Sequence, residues 1–189
     1  QYNSSNPFGW NDGAMIPARG YQSLVSGGFF ARLGIVNIRF EPEYVYAVNR
    51  QFNGLDIYYG EPDLPLRFGN GGYGDLKWGQ SSVRVALGAF SVGLSTENIW
   101  WGPGVRNALL FSNTAAGFKH LTFNTTRPLK TPVGSIEAQI IAGRLNNSGF
   151  TQMENIPEYS DWRYLSGMII TYQPRWVPGL FLGLGRTFQ

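Results

Sequence analysis

The densest chemistry in the chain lies between Ser95 and His120, which read S-T-E-N-I-W-W-G-P-G-V-R-N-A-L-L-F-S-N-T-A-A-G-F-K-H. Adjacent Trp100 and Trp101 precede Gly102-Pro103-Gly104, a stretch that forces a sharp turn. Glu97, Asn98, Arg106, Asn107 and Asn113 bracket that turn. Indole faces beside carboxylate, amide and guanidinium groups suit sugars. Sugar C–H faces pack on the ring, and the hydroxyls exchange hydrogen bonds with the polar groups. These residues are therefore the candidate ligand-binding set. A second reading fits the same string: the tryptophans sit in an interfacial aromatic girdle, and Glu97 pairs internally with Arg106.

Other clusters offer less. Phe8-Gly9-Trp10-Asn11-Asp12-Gly13-Ala14 carries an Asn-Asp-Gly turn signal, with Asp12 placed to pair with Arg19. Glu41 and Glu43 lie two apart on one strand face, about 6–7 Å from each other. That overlaps the carboxylate separations of glycoside hydrolases. Arg39 shares the face, however, and Arg-paired internal charge is the plainer reading. His120 is the single histidine, so a multi-His metal site is excluded. Ser112 lies upstream of it without a G-x-S-x-G elbow, and His120 reads as a structural hydrogen-bonder. Gly69-Asn70-Gly71-Gly72-Tyr73-Gly74 lacks the following Lys of a phosphate loop. Cys is absent, which excludes disulfides, thiolate catalysis and Cys-ligated zinc. No catalytic residue, metal or cofactor is expected. The net charge of +3 is scattered, without a basic stripe, so nucleic acid is not an expected partner.

The elements that must position these residues are strands. With 189 residues, the chain is one domain or part of one. Charged residues make up 14%, against roughly 25% in soluble domains. Aromatics reach 15%, so the chain is poor in charge for a solvated surface and too aromatic for disorder. No apolar run reaches the length of a transmembrane helix. Residues 1–6 are polar, so no signal peptide is read there; for an exported protein that segment has been removed or precedes residue 1. Period-2 alternation dominates. Val36, Ile38, Phe40, Tyr44, Tyr46 and Val48 form one face, whereas Asn37, Arg39, Glu41 and Glu43 lie on the other. Such a run exceeds the usual soluble strand and approaches the length of a tilted bilayer-crossing one. Pro42 cannot donate to a ladder, which predicts an edge or bulge there.

Eight strands are expected, at 22–33, 36–48, 82–87, 90–96, 118–126, 135–145, 161–173 and 180–188. Tight turns are placed at 33–35 and 88–89, and Pro/Gly-rich turns at 128–134 and 174–179. Long loops fall at about 49–81, 97–117 and 146–160. Short and long connections alternate, as they do in outer-membrane barrels. The expected fold is all-β, an antiparallel outer-membrane-type β-barrel; a soluble β-sandwich is the alternative.

Three blocks resemble the Wzi-type capsule assembly family. They are Gly9-Trp10-Asn11-Asp12-Gly13-Ala14 with Ala18-Arg19-Gly20, then 95–104 with its E-N-x-W-W-G-P-G string, and then 110–120. With their spacing, the resemblance runs over most of the chain. It implies an outer-membrane β-barrel of the bacterial cell, without known enzymatic activity, that helps organise or anchor capsular or other surface polysaccharide in a lectin-like way. It assigns no functional residues. Family members carry a signal peptide and a segment before the barrel, and their barrel has many more strands than eight. The chain is therefore expected to be part of a larger barrel. The expected partners are surface polysaccharide and outer-membrane lipid, with the oligomeric state open. The alternatives are a barrel enzyme or pore acting on lipid or carbohydrate, and a soluble carbohydrate-binding module.

Overall fold

The computed structural model describes residues 1–52, 67–69, 71–106, 108–146 and 162–189. Among these residues there are strands and no helix. The strands are β1 Tyr2–Asn3, β2 Gly20–Ser26, β3 Phe29–Leu33, β4 Val36–Phe40 and β5 Glu43–Ala47. Next come β6 Tyr73–Lys77, β7 Ser82–Leu87, β8 Phe90–Ser95 and β9 His120–Thr125. The last are β10 Leu129–Thr131, β11 Gly134–Leu145, β12 Arg163–Pro174 and β13 Leu182–Phe188.

All ladders are antiparallel. The main sheet runs β13-β12-β11-β9-β8-β7-β4-β3, and a smaller one runs β1-β2-β5-β6. The two sheets share strand paths. Ser26 faces Glu43 and Phe29 faces Phe40, so β2–β3 and β4–β5 form one hairpin in continuous register. Its ladder is interrupted at 27–28 and 41–42, where Pro42 supplies no amide hydrogen. The third path, β6–β7, gains one residue: Glu43 faces Lys77, whereas Arg39 faces Ser82. Residues 78–81 form the resulting bulge. Its Gly79 has φ +57°, and a Cβ there would overlap the Glu41 carbonyl. The Ser81 hydroxyl donates to the Trp78 carbonyl at 2.6 Å and accepts from the Glu41 amide at 3.0 Å.

The eight expected strands are present as eight strand paths. The two-residue turns fall after Leu33 and Leu87, each with Gly first at φ +62°, the geometry that follows strand twist. The expected loop 49–81 is corrected: β6 occupies its last third, because the bulge hides the alternation that would have joined 73–77 to 82–87. Within 128–134, Leu129–Thr131 forms a small hairpin with β11. Parts of the expected loops at 49–81 and 146–160 lie outside the described residues, as does Asn70.

Alternation and register assign the two faces. Val83, Val92, Leu94, Leu121, Ile140 and Leu184 share one face; Arg84, Ser95, Thr122, Gln139 and Ile141 share the other. Leu94, Leu121 and Leu184 are 62%, 54% and 66% exposed, whereas Ser95, His120 and Thr122 are 3%, 3% and 1% exposed. The apolar face points outward and the polar face inward, the reverse of a soluble core. Among the described residues no second sheet covers the apolar face, as a sandwich would require. The β3 and β13 edges are not paired with each other, and the barrel-type sheet is open among the described residues.

Gly79→Ala is expected to cost about 1–3 kcal/mol through strain at the bulge. A lowered denaturant midpoint is the readout, and an unchanged midpoint would show that the bulge relaxes freely.

Candidate functional site

The loop between β8 and β9 turns back over the inner face of the sheet. Ile99, Trp101 and Ile141 are buried together, with Phe111, Phe118 and Ile169 packed against them. Trp101 is 3% exposed, and its indole N–H donates to Gln139 Oε1 at 2.9 Å. Phe111 meets its ring edge-on at 5.0 Å. Gly167 of β12 leaves room for that ring: a Cβ there would lie 3.0 Å from it. Backbone bonds from the Leu109 amide to the Trp101 carbonyl and from the Trp101 amide to the Phe111 carbonyl close the loop on itself. This packing gives the loop a small apolar core on an otherwise polar face.

The base of the loop is tied by charge. Glu97 accepts from Arg39 of β4 at 3.3 Å and from Arg84 of β7. Ser95 Oγ also donates to it at 3.1 Å. Arg39 pairs with Glu41 at 2.7 Å, and Arg84 reaches Asn124 Oδ1 of β9 at 3.2 Å. The network therefore joins four adjacent strand paths. The internal ion pair expected between Glu97 and Arg106 is corrected: Glu97 uses two arginines of the sheet. The expected Arg-paired charge at Glu41 is present, and Glu43 accepts from Gln80 Nε2 at 2.9 Å. Sequence reasoning passed over Arg84, Asn124 and Gln139. Their phase, opposite to Val83 and Val85 on β7 and to Leu121 and Phe123 on β9, was the available signal.

The other candidates divide. Asn98 is latched: its amide N–H donates to Gln80 Oε1 at 3.0 Å, and its side chain donates to the Ala115 carbonyl at 2.9 Å. The Arg106 side chain is exposed, and its carbonyl accepts from Asn11 Nδ2 at 2.6 Å. The Asn113 carbonyl accepts from the Gly13 amide at 2.6 Å, so residues 11–13 are tied to the loop. Asn107 lies outside the described residues. Arg19 donates to the Gln51 carbonyl at 3.3 Å and forms no ion pair with Asp12 among the described residues. His120 is buried, with Nδ1 2.8 Å from the Phe118 carbonyl.

Between the loop and the sheet lies a cavity of about 800 Å³. Trp100 and Trp101 line it from the loop; Asn124, Glu137, Gln139 and Thr171 line it from the inner face. Trp100 is half-buried, and its indole N–H is held by the Gly104 carbonyl at 2.8 Å. The two tryptophans thus do different work: Trp101 anchors the loop, and Trp100 presents an aromatic wall.

An antiparallel all-β sheet of barrel type, apolar outside and polar inside, with a loop folded across its interior, is the class these observations define. The family of capsule assembly protein Wzi matches residues 18–189, and the chain belongs to that family. No curated protein and no solved structure matches it.

Two variants probe the site. Glu97→Ala leaves Arg39 with Glu41 and Arg84 with Asn124 as their remaining partners and should cost about 1–3 kcal/mol. Arg84→Ala with Glu97→Ala should cost less than the sum of the single variants; strict additivity in the double-mutant cycle would show that the pair is not coupled. Trp101→Ala removes a buried indole and should cost about 3–5 kcal/mol, read as earlier proteolysis between 97 and 118.

Proposed function

We propose that this chain forms wall and interior of an outer-membrane β-barrel that organises or anchors capsular or surface polysaccharide in a lectin-like, non-catalytic way. The observation that carries the reading is the inverted polarity of the sheet. An exposed apolar face is costly in water and favourable against lipid hydrocarbon. The 12-residue strands β11 and β12 are long enough to cross a bilayer at a tilt. Family membership associates the chain with capsule assembly at the bacterial surface.

The cavity beside Trp100 supports a sugar ligand. It combines an aromatic wall with amide, hydroxyl and carboxylate groups, the set that contacts both faces of a pyranose. A non-catalytic role is supported by the structural partners of the three groups first considered for catalysis. Glu41 is held by Arg39, Glu43 by Gln80, and His120 sits against a backbone carbonyl.

Leu94→Arg separates lipid contact from water contact. In a bilayer it should cost about 2–4 kcal/mol, whereas on a solvated surface it would be nearly neutral. Urea unfolding from phospholipid vesicles measures this, and a neutral result would remove the membrane reading. Trp100→Ala should weaken retention of surface polysaccharide about tenfold in a pull-down, given the usual contribution of one aromatic platform. Retention equal to wild type would place the sugar elsewhere, leaving the barrel intact.

A further inference from the structure

A second cleft, of about 950 Å³, lies at the long-loop end of the sheet. Among the described residues its lining holds the cations Arg67, Lys77, Lys119 and Arg144 and the carboxylate Asp75; Asp75 and Lys77 pair with each other on the inner face that Lys77 shares with Glu43. Lys119 and Arg144 stand one step beyond the last β9–β11 pair, His120 with Gly143, so they are opposite each other in register. Both are exposed, and among the described residues neither forms an ion pair. Like charges opposite each other across neighbouring strands are destabilising without a counter-charge.

Their phase places them on the apolar side. Lys119 alternates with Leu121 and Phe123, and Arg144 with Ala142 and Ile140. Each lies against an aromatic ring: Lys119 Nζ is 6.0 Å from the Trp78 ring centre, and the Arg144 guanidinium is 5.1 Å from that of Trp162. Trp78 and Trp162 are 60% and 53% exposed. Cations on aromatic supports directly above an apolar band match the chemistry of an anionic lipid headgroup whose acyl chains lie along that band.

We propose that this cleft binds the phosphorylated headgroup of an anionic membrane lipid, with Lys119 and Arg144 on the phosphate and the chains along Leu121 and Ile140. The proposal rests on the membrane reading above. It is independent of the Trp100 cavity, which lies on the inner face.

The full-length protein is reconstituted in phosphatidylcholine vesicles containing either lipid A or its dephosphorylated form. Lipid retained after detergent extraction is then quantified. Protease protection in plain phosphatidylcholine vesicles reports insertion separately. Wild type should enrich lipid A over the dephosphorylated form, and less so in high salt. Lys119→Gln and Arg144→Gln should each lower that enrichment about fivefold, whereas Lys119→Arg and Arg144→Lys retain it. Insertion without enrichment, or enrichment unchanged in both Gln variants, overturns the headgroup site and leaves the barrel standing. Displacement of lipid A by a soluble anionic polysaccharide through the same two residues would make the cleft a glycan site and overturns it as well. Failure of wild type to insert removes the membrane reading and this site with it.

Discussion

A single-layer sheet has two faces, and a chain of this composition cannot bury both. Here the apolar side chains look outward, so polar groups buried on the other face draw their partners from within the concavity. The rest of the structure answers that demand. Glu97 neutralises two arginines from different strand paths, Asn124 accepts from one of them, and the Gln139 side chain takes the Trp101 indole N–H. Without an infolded loop, the inner face would present paired charges to open solvent and nothing apolar to pack on. With it, Ile141 and Ile169 gain a partner in Trp101, and the loop becomes a fixed part of the interior.

The bulge at 78–81 serves both faces at once. It turns Trp78 outward against Phe40 and toward Lys119, and it turns Gln80 inward between Glu43 and Asn98. One extra residue thus sets an aromatic on the outer rim and a hydrogen-bond bridge at the loop base. The N-terminal segment acts on the same loop from the other side, through Asn11 and Gly13. The loop that walls the proposed sugar cavity is therefore held from three sides, by the sheet arginines, the bulge and the N-terminal segment. Such a site is preorganised, which suits retention of a polymer better than capture by closure.

Much of the fold was legible in the residues. Strands 82–87 and 90–96 could be separated because Val83, Val85 and Leu87 are out of phase with Phe90, Val92 and Leu94. Pro42 announced an interrupted ladder for a covalent reason, its missing N–H. Strand β6 was not legible: the bulge breaks period 2 at the point where a reader would join 73–77 to 82–87, and bulges have no fixed signature in composition. The tandem tryptophans were found as a chemical unit, but their division of labour was not. Adjacent residues on an extended loop point in different directions, and which one meets the sheet depends on what the sheet offers.

The sequence by itself determined that the chain is made of antiparallel strands with one apolar and one polar face, because side-chain alternation is a local property with a period of two residues. It also determined that no thiol or histidine cluster exists to support metal or covalent chemistry. Only the tertiary structure decided which way the apolar face looks, since alternation is identical for a sheet turned inside out. Only register decided that Glu97 meets Arg39, 58 residues away, and not nearby Arg106. An ion pair forms where cross-strand neighbours place the charges, and that neighbourhood is set by hydrogen-bonded ladders the linear order does not contain.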